Sequence, residues 1–95
     1  MELVDTFKEL YPKTFGNIDR NRFCLPDEWV GIVQEFAQKF EVDHPNIPIV
    51  QVKSKFGHLC IYPDREVMLK LSDAHRADVM AMIADVEEKA SNEKS

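Results

Sequence analysis

Apolar and polar residues alternate from Ile47 to Tyr62 about a single glycine, and no other segment restricts the fold as much. Successive side chains of a strand point to opposite sides. Ile47–Phe56 therefore reads as a strand with Val50, Val52 and Phe56 on one face and Gln51, Lys53 and Lys55 on the other. Gly57 supplies the turn and His58–Tyr62 the return strand, which makes a β-hairpin. Pro48 has no amide hydrogen for a ladder and puts the start of the first strand at an edge or leaves it unpaired.

Helical spacing flanks the hairpin. Over residues 2–11, Leu3, Phe7, Leu10 and Tyr11 fall at helical intervals, acids come early and Lys8 late, and Pro12 is the expected stop. Residues 12–25 have loop composition (Pro12, Gly16, Asn17, Asp19, Asn21). Phe15, Ile18 and Phe23 are too apolar to stand in water, so this loop is expected to lie over the core. Pro26 suits the first position of a helix, with Asp27 and Glu28 at its positive end; Trp29, Ile32, Val33, Phe36 and Phe40 form one stripe of a core helix over 26–40. Gly31 costs that helix about 1 kcal/mol relative to Ala, which implies a close neighbour there. In Arg65–Leu71, Val67, Leu69 and Leu71 alternate with Glu66, Met68 and Lys70. A third strand is preferred there over a helix beginning at Pro63. Ser72 is the N-cap of a long last helix whose Val79, Met82, Ile83, Val86 and Ala90 share a face, with 91–95 expected to fray.

The expected architecture is α+β, in the order α-α-β-β-(β)-α, with helices on one face of a small two- or three-stranded antiparallel sheet. The expected core is Leu3, Phe7, Leu10, Trp29, Val33, Phe36, Phe40, Val50, Val52, Phe56, Leu59, Ile61, Val79, Ile83 and Val86. Ninety-five residues, 44% of them hydrophobic, suffice for a single domain spanning 1–95 that buries roughly 65% of its extended surface. No apolar run approaches the ~18 residues of a membrane span. The opening Met1–Asp5 is acidic where a secretory signal is basic and then apolar, and two cysteines make no disulfide framework. The expected location is the cytoplasm.

Twelve basic residues against 17 acidic ones leave a net charge of −5, without the basic surplus of a general duplex binder. The distribution says more than the sum. His44–Pro63 contains no carboxylate but holds Lys53, Lys55, His44 and His58. The plain reading is a solvated sheet face; the sharper one is a docking surface for an acidic partner.

The order of these elements carries a resemblance. Tyr11-Pro12 with Phe15, then Cys24 before Trp29 on a helix, then Gln51-Val52-Lys53-Ser54-Lys55-Phe56-Gly57-His58-Leu59-Cys60-Ile61-Tyr62, then Ile83, Glu87 and Ser91, resemble a set of small uncharacterised proteins of phages, prophages and other mobile elements. Their shared signature is a Q-V-K-x-K-F-G-x-L-x-x-Y hairpin after a Trp-bearing helix. It covers about residues 11–91 and is most specific over 51–62. The Cys-rich, zinc-ribbon-like tail of many such proteins has no counterpart here. The resemblance implies a genomic context rather than a reaction: a small protein that binds, and in the form common among mobile-element proteins inhibits, a host or defence complex.

Candidate chemistry is sparse. Cys24, His44, His58, Cys60 and His75 are the metal-ligating types, without C-x-x-C or H-x-x-x-H spacing. His58 and Cys60 share a strand face, where a buried thiol and an exposed turn histidine are the commoner outcome. Neither cysteine stands in a known nucleophile–base spacing, no phosphate loop can be built from Gly16, Gly31 and Gly57, and Glu87-Glu88 reads as a solvated helix face. No catalytic residue, metal or cofactor is assigned. The remaining constellation is Gln51, Lys53, Lys55, His58 and Tyr62 on one hairpin face. It suits a host or phage protein with an acidic surface, with a nucleic-acid strand held by phosphate pairing and base stacking as the second candidate. The same hairpin could be covered by a second subunit through its edge, so monomer and homodimer both stay open.

Overall fold

A computed structural model describes residues 2–92. Two short helices open the chain, α1 (Leu3–Leu10) and α2 (Pro12–Phe15). They are separate because a proline excludes the helical conformation from the residue before it: Tyr11 sits at φ −129°, ψ 63°, while Pro12 itself begins α2. The predicted loop over 12–25 thus starts as a helical turn. Its apolar residues do lie on the core: Phe7 meets Phe15 edge-on at 5.4 Å and Phe23 at 5.4 Å, and Ile18 is buried.

A 3-10 turn over Asp27–Trp29 leads into α3 (Val30–Asp43), so the core helix starts later and ends later than expected. Of the expected stripe, Trp29, Val33, Phe36 and Phe40 are buried, while Ile32 is only half-buried. Gly31 is not: it is exposed, and a methyl group there would meet nothing within 4 Å. The close neighbour inferred from its helix cost does not exist.

The hairpin comprises β1 (Ile49–Lys55) and β2 (His58–Pro63), antiparallel and joined by Phe56-Gly57. Two expectations about its inner face need correction. The ladder pairs Ile49 with Pro63 and Gln51 with Tyr62, so Val50 is an extra residue that shifts the alternation. Ile49 therefore faces inward with Val52, and Val50 is only half-buried. Phe56 lies in the turn, not on the inner face, and is 89% exposed.

Arg65–Leu71 is not a third strand. Residues Arg65–Leu69 form α4, whose N-cap Asp64 accepts the Val67 amide at 3.1 Å. The Arg76 guanidinium donates to the last two carbonyls of α4, Met68 O at 3.0 Å and Leu69 O at 3.4 Å, and to Leu71 O beyond it at 3.0 Å. The sheet has two strands. Ser72 caps α5 (Asp73–Asn92) as expected, its hydroxyl accepting the His75 amide at 3.1 Å. Ser91 and Asn92 remain helical; residues 93–95, where fraying was also expected, lie outside the described residues.

The fold is α+β: α5 packs on both α3 and β2, and its buried Val79, Ile83, Val86 and Ala90 belong to one core cluster with Leu59 and Ile61 of the inner hairpin face. The buried residues of α1 are Val4 and Phe7, continued by Tyr11 at its end; of those expected in the core, Leu3 is only partly buried and Leu10 is 54% exposed. Among the described residues no helix is long and apolar enough to cross a membrane.

Candidate functional site

Strand pairing sets the outer face of the hairpin. Lys55 opposes His58, Lys53 opposes Cys60 and Gln51 opposes Tyr62. All six side chains therefore leave the sheet on the side away from Val52, Leu59 and Ile61, which are buried. The five residues singled out in the sequence thus stand together, with Cys60 among them. Because no acid occurs between His44 and Pro63, the face has no carboxylate of its own. Among the described residues, the ion pairs join Arg20 to Glu2 and Asp5, Arg76 to Asp73 and Lys89 to Asp85; neither Lys53 nor Lys55 takes part.

The lysines instead meet rings. Lys53 Nζ lies 5.4 Å from the centre of the Tyr62 ring, a diagonal cross-strand contact within cation–π range. Lys55 Nζ lies 6.0 Å from the Phe56 ring at the hairpin tip. The Tyr62 phenol is raised above its ordinary value, first by the neighbouring Cys60, whose thiolate charge opposes a second anion. Desolvation, the hydrogen bond with Cys60 and the charge of Glu87 act in the same direction.

The edges of the hairpin are partly occupied. In an antiparallel ladder every second residue turns its amide and carbonyl away from the partner strand. On the β1 side, Val52 O accepts the Cys24 amide at 2.8 Å, where Phe23 makes a short parallel bridge to Val52. On the β2 side, the Ile61 amide donates to Glu87 Oε2 at 3.0 Å. Edge pairing with another strand, one expectation from the sequence, is thus obstructed on both sides away from the tip. Glu87, read as part of a solvated face, is half-buried with a structural partner.

The other ligand-type residues do not join this face. Cys24 is exposed in the segment beside β1. His44, buried just past the end of α3, meets the Phe40 ring in a tilted contact with centroids 5.2 Å apart, and its Nδ1 lies 3.0 Å from Nε2 of His75 in the first turn of α5. Sequence reasoning missed this pair: 31 residues separate the two, and nothing local in the sequence signals it. Among the described residues no three metal-ligating side chains gather. A groove of about 720 Å³ lies between α3 and α5, lined by Ile32, Phe36 and Met82 and rimmed by Glu35, Asp85 and Lys89. It is remote in sequence from the hairpin tip and gathers none of the residues singled out above.

Comparison of the chain with protein-family models, with curated proteins and with solved structures finds no match.

Proposed function

We propose that the protein is a non-catalytic binding module whose outer hairpin face docks on an acidic surface of another protein. One observation carries the reading: Lys53 and Lys55 stand on a hairpin face whose own residues include no acid, and among the described residues neither forms an ion pair. A half-exposed Lys53 and an exposed Lys55 that meet rings rather than carboxylates can pair with acids on a partner's surface, where such charges steer association and set register. Phage or mobile-element origin, and inhibition of a host defence complex as the outcome of docking, belong to the same proposal; the likeness of Gln51–Tyr62 to the hairpin of such proteins supports them.

The test is affinity capture from bacterial lysate with the wild-type chain and with K53E/K55E. Both substitutions lie on solvent-facing positions of the hairpin, so the variant is expected to fold and to lose the partner. Retention of the same partner by the charge-reversed variant counts against the reading.

Tyr62 beside Lys53 also favours a second reading, in which the face holds a single nucleic-acid strand by stacking and phosphate contacts. A mobility shift at two salt concentrations separates the two: phosphate contacts weaken steeply with salt.

A further inference from the structure

We infer that Phe56 is the anchor of this face and that the partner site receiving it is an apolar socket ringed by carboxylates. The inference rests on the docking reading above and specifies what the partner must offer.

Phe56 has φ 51° and Gly57 φ 78°. Positive φ at both residues of a two-residue loop is the type I′ pattern, which matches the right-handed twist of the strands it joins. Glycine meets that demand without cost, and Asn or Asp would meet it at the first position. A bulky aromatic there crowds its own backbone and is uncommon. Burial does not compensate, since the ring is 89% exposed in the free molecule. The ladder beneath, where Lys55 pairs with His58 and Ser54 with Leu59, holds the turn in place. A residue poorly suited to its backbone and unused by the core points to a role outside the fold.

That role follows from shape and charge. A phenyl ring on a rigid tip offers a large apolar area and loses little conformational freedom when covered, the properties of an interface anchor. Anchors of this kind fill pockets, so the partner surface is concave and apolar at its centre. Its rim must face Lys55, whose ammonium is 6.0 Å from the ring, and Lys53, two residues down the same strand face. Carboxylates are the groups that pair with both cations. A polyanionic strand is the poorer fit, because the two lysines of this face match a few carboxylates rather than a run of phosphates.

The experiment uses the full chain with three changes at position 56. F56N suits the type I′ turn and is expected to raise Tm by about 4 °C, the shift of a modest gain in a domain this size. It is also expected to lower capture of the wild-type partner at least tenfold, while F56W restores it. The third change places the photocrosslinker p-benzoylphenylalanine at position 56. Irradiated in bacterial lysate, it is expected to label a protein segment that combines apolar residues with at least two Asp or Glu. The inference is overturned if F56N binds like wild type or melts lower. It also falls if the label goes to nucleic acid, to a second copy of this chain or to a carboxylate-free segment, or if nothing is labelled. If K53E/K55E abolishes capture and F56N does not, the docking reading survives and this inference alone fails.

Discussion

The carboxylate of Glu87 on α5 accepts the amide hydrogen of Ile61 on β2 at 3.0 Å. The last helix thereby does two things for the hairpin: its apolar stripe covers the inner face, and its acid occupies an amide on the open edge. An unpaired edge is a template for adventitious strand pairing, and a charged side chain laid across it is one of the ways proteins blunt it.

E87A leaves that amide to solvent and is expected to cost about 1 kcal/mol, as for a typical lost hydrogen bond, whereas E87Q keeps an acceptor and costs less. Denaturant titration of the three proteins gives the ranking. Amide exchange at Ile61 should quicken in E87A; unaltered protection there would show that the contact does not hold the edge.

The His44–His75 contact joins the end of α3 to the start of α5 at 3.0 Å. A double-mutant cycle with H44A and H75A should return a coupling of about 0.5–1.5 kcal/mol, the range of a neutral hydrogen bond. H44A alone should cost more than H75A, because His44 is buried and packs against the Phe40 ring while His75 is exposed. Strictly additive single mutants would mean that the two rings are neighbours without being partners.

Gly31 and Trp29, two residues apart, should respond in opposite ways. G31A places a methyl group in open space on an exposed helical position and is expected to stabilise by roughly 0.5–1 kcal/mol. W29A empties a buried site and is expected to cost roughly 3–5 kcal/mol, with F36A in the same range. Thermal melts decide both. A destabilised G31A would reveal a neighbour that the fold does not show.

Tyr62 should titrate above the ordinary phenol range, and C60A should bring it back down by removing the largest cause of the shift. The sign follows from linkage. A raised phenol means that the folded chain favours the neutral form, so its contribution is complete at neutral pH and is lost as pH rises through the folded-state value. Ring-carbon NMR of Tyr62 across alkaline pH reads the midpoint directly. A midpoint indifferent to Cys60 would remove the thiolate from the explanation.

The hairpin was legible because its signal is local: alternation on either side of Gly57, with lysines on one parity and apolar residues on the other. Its start was misread for a local reason too. Ile47 and Ile49 alternate in one parity and Val50 and Val52 in the other, and a regular strand cannot bury both sets. The extra residue at Val50 reconciles Ile49 with Val52 by changing the parity between them. The outer face escaped this error because Gln51, Lys53 and Lys55 all follow the bulge.

Arg65–Leu71 shows the opposite case. Its alternation fits a strand as well as its Asp64 cap fits a helix, and seven residues are too few for periodicity to choose. The choice comes from Arg76, which crosses from α5 to hold the carbonyls of Met68 and Leu71.

Periodicity was thus enough to place most of the buried stripe of the core and last helices, the Ser72 cap and the lysine-bearing side of the ribbon, because each depends on residues a few positions apart. Where the helices cross settled the rest: which carbonyls Arg76 reaches, which amide Glu87 covers, which imidazole His44 meets, and that Phe56 is left outside the core. Those contacts depend on distances through space between elements, which no pattern of near neighbours along the chain encodes.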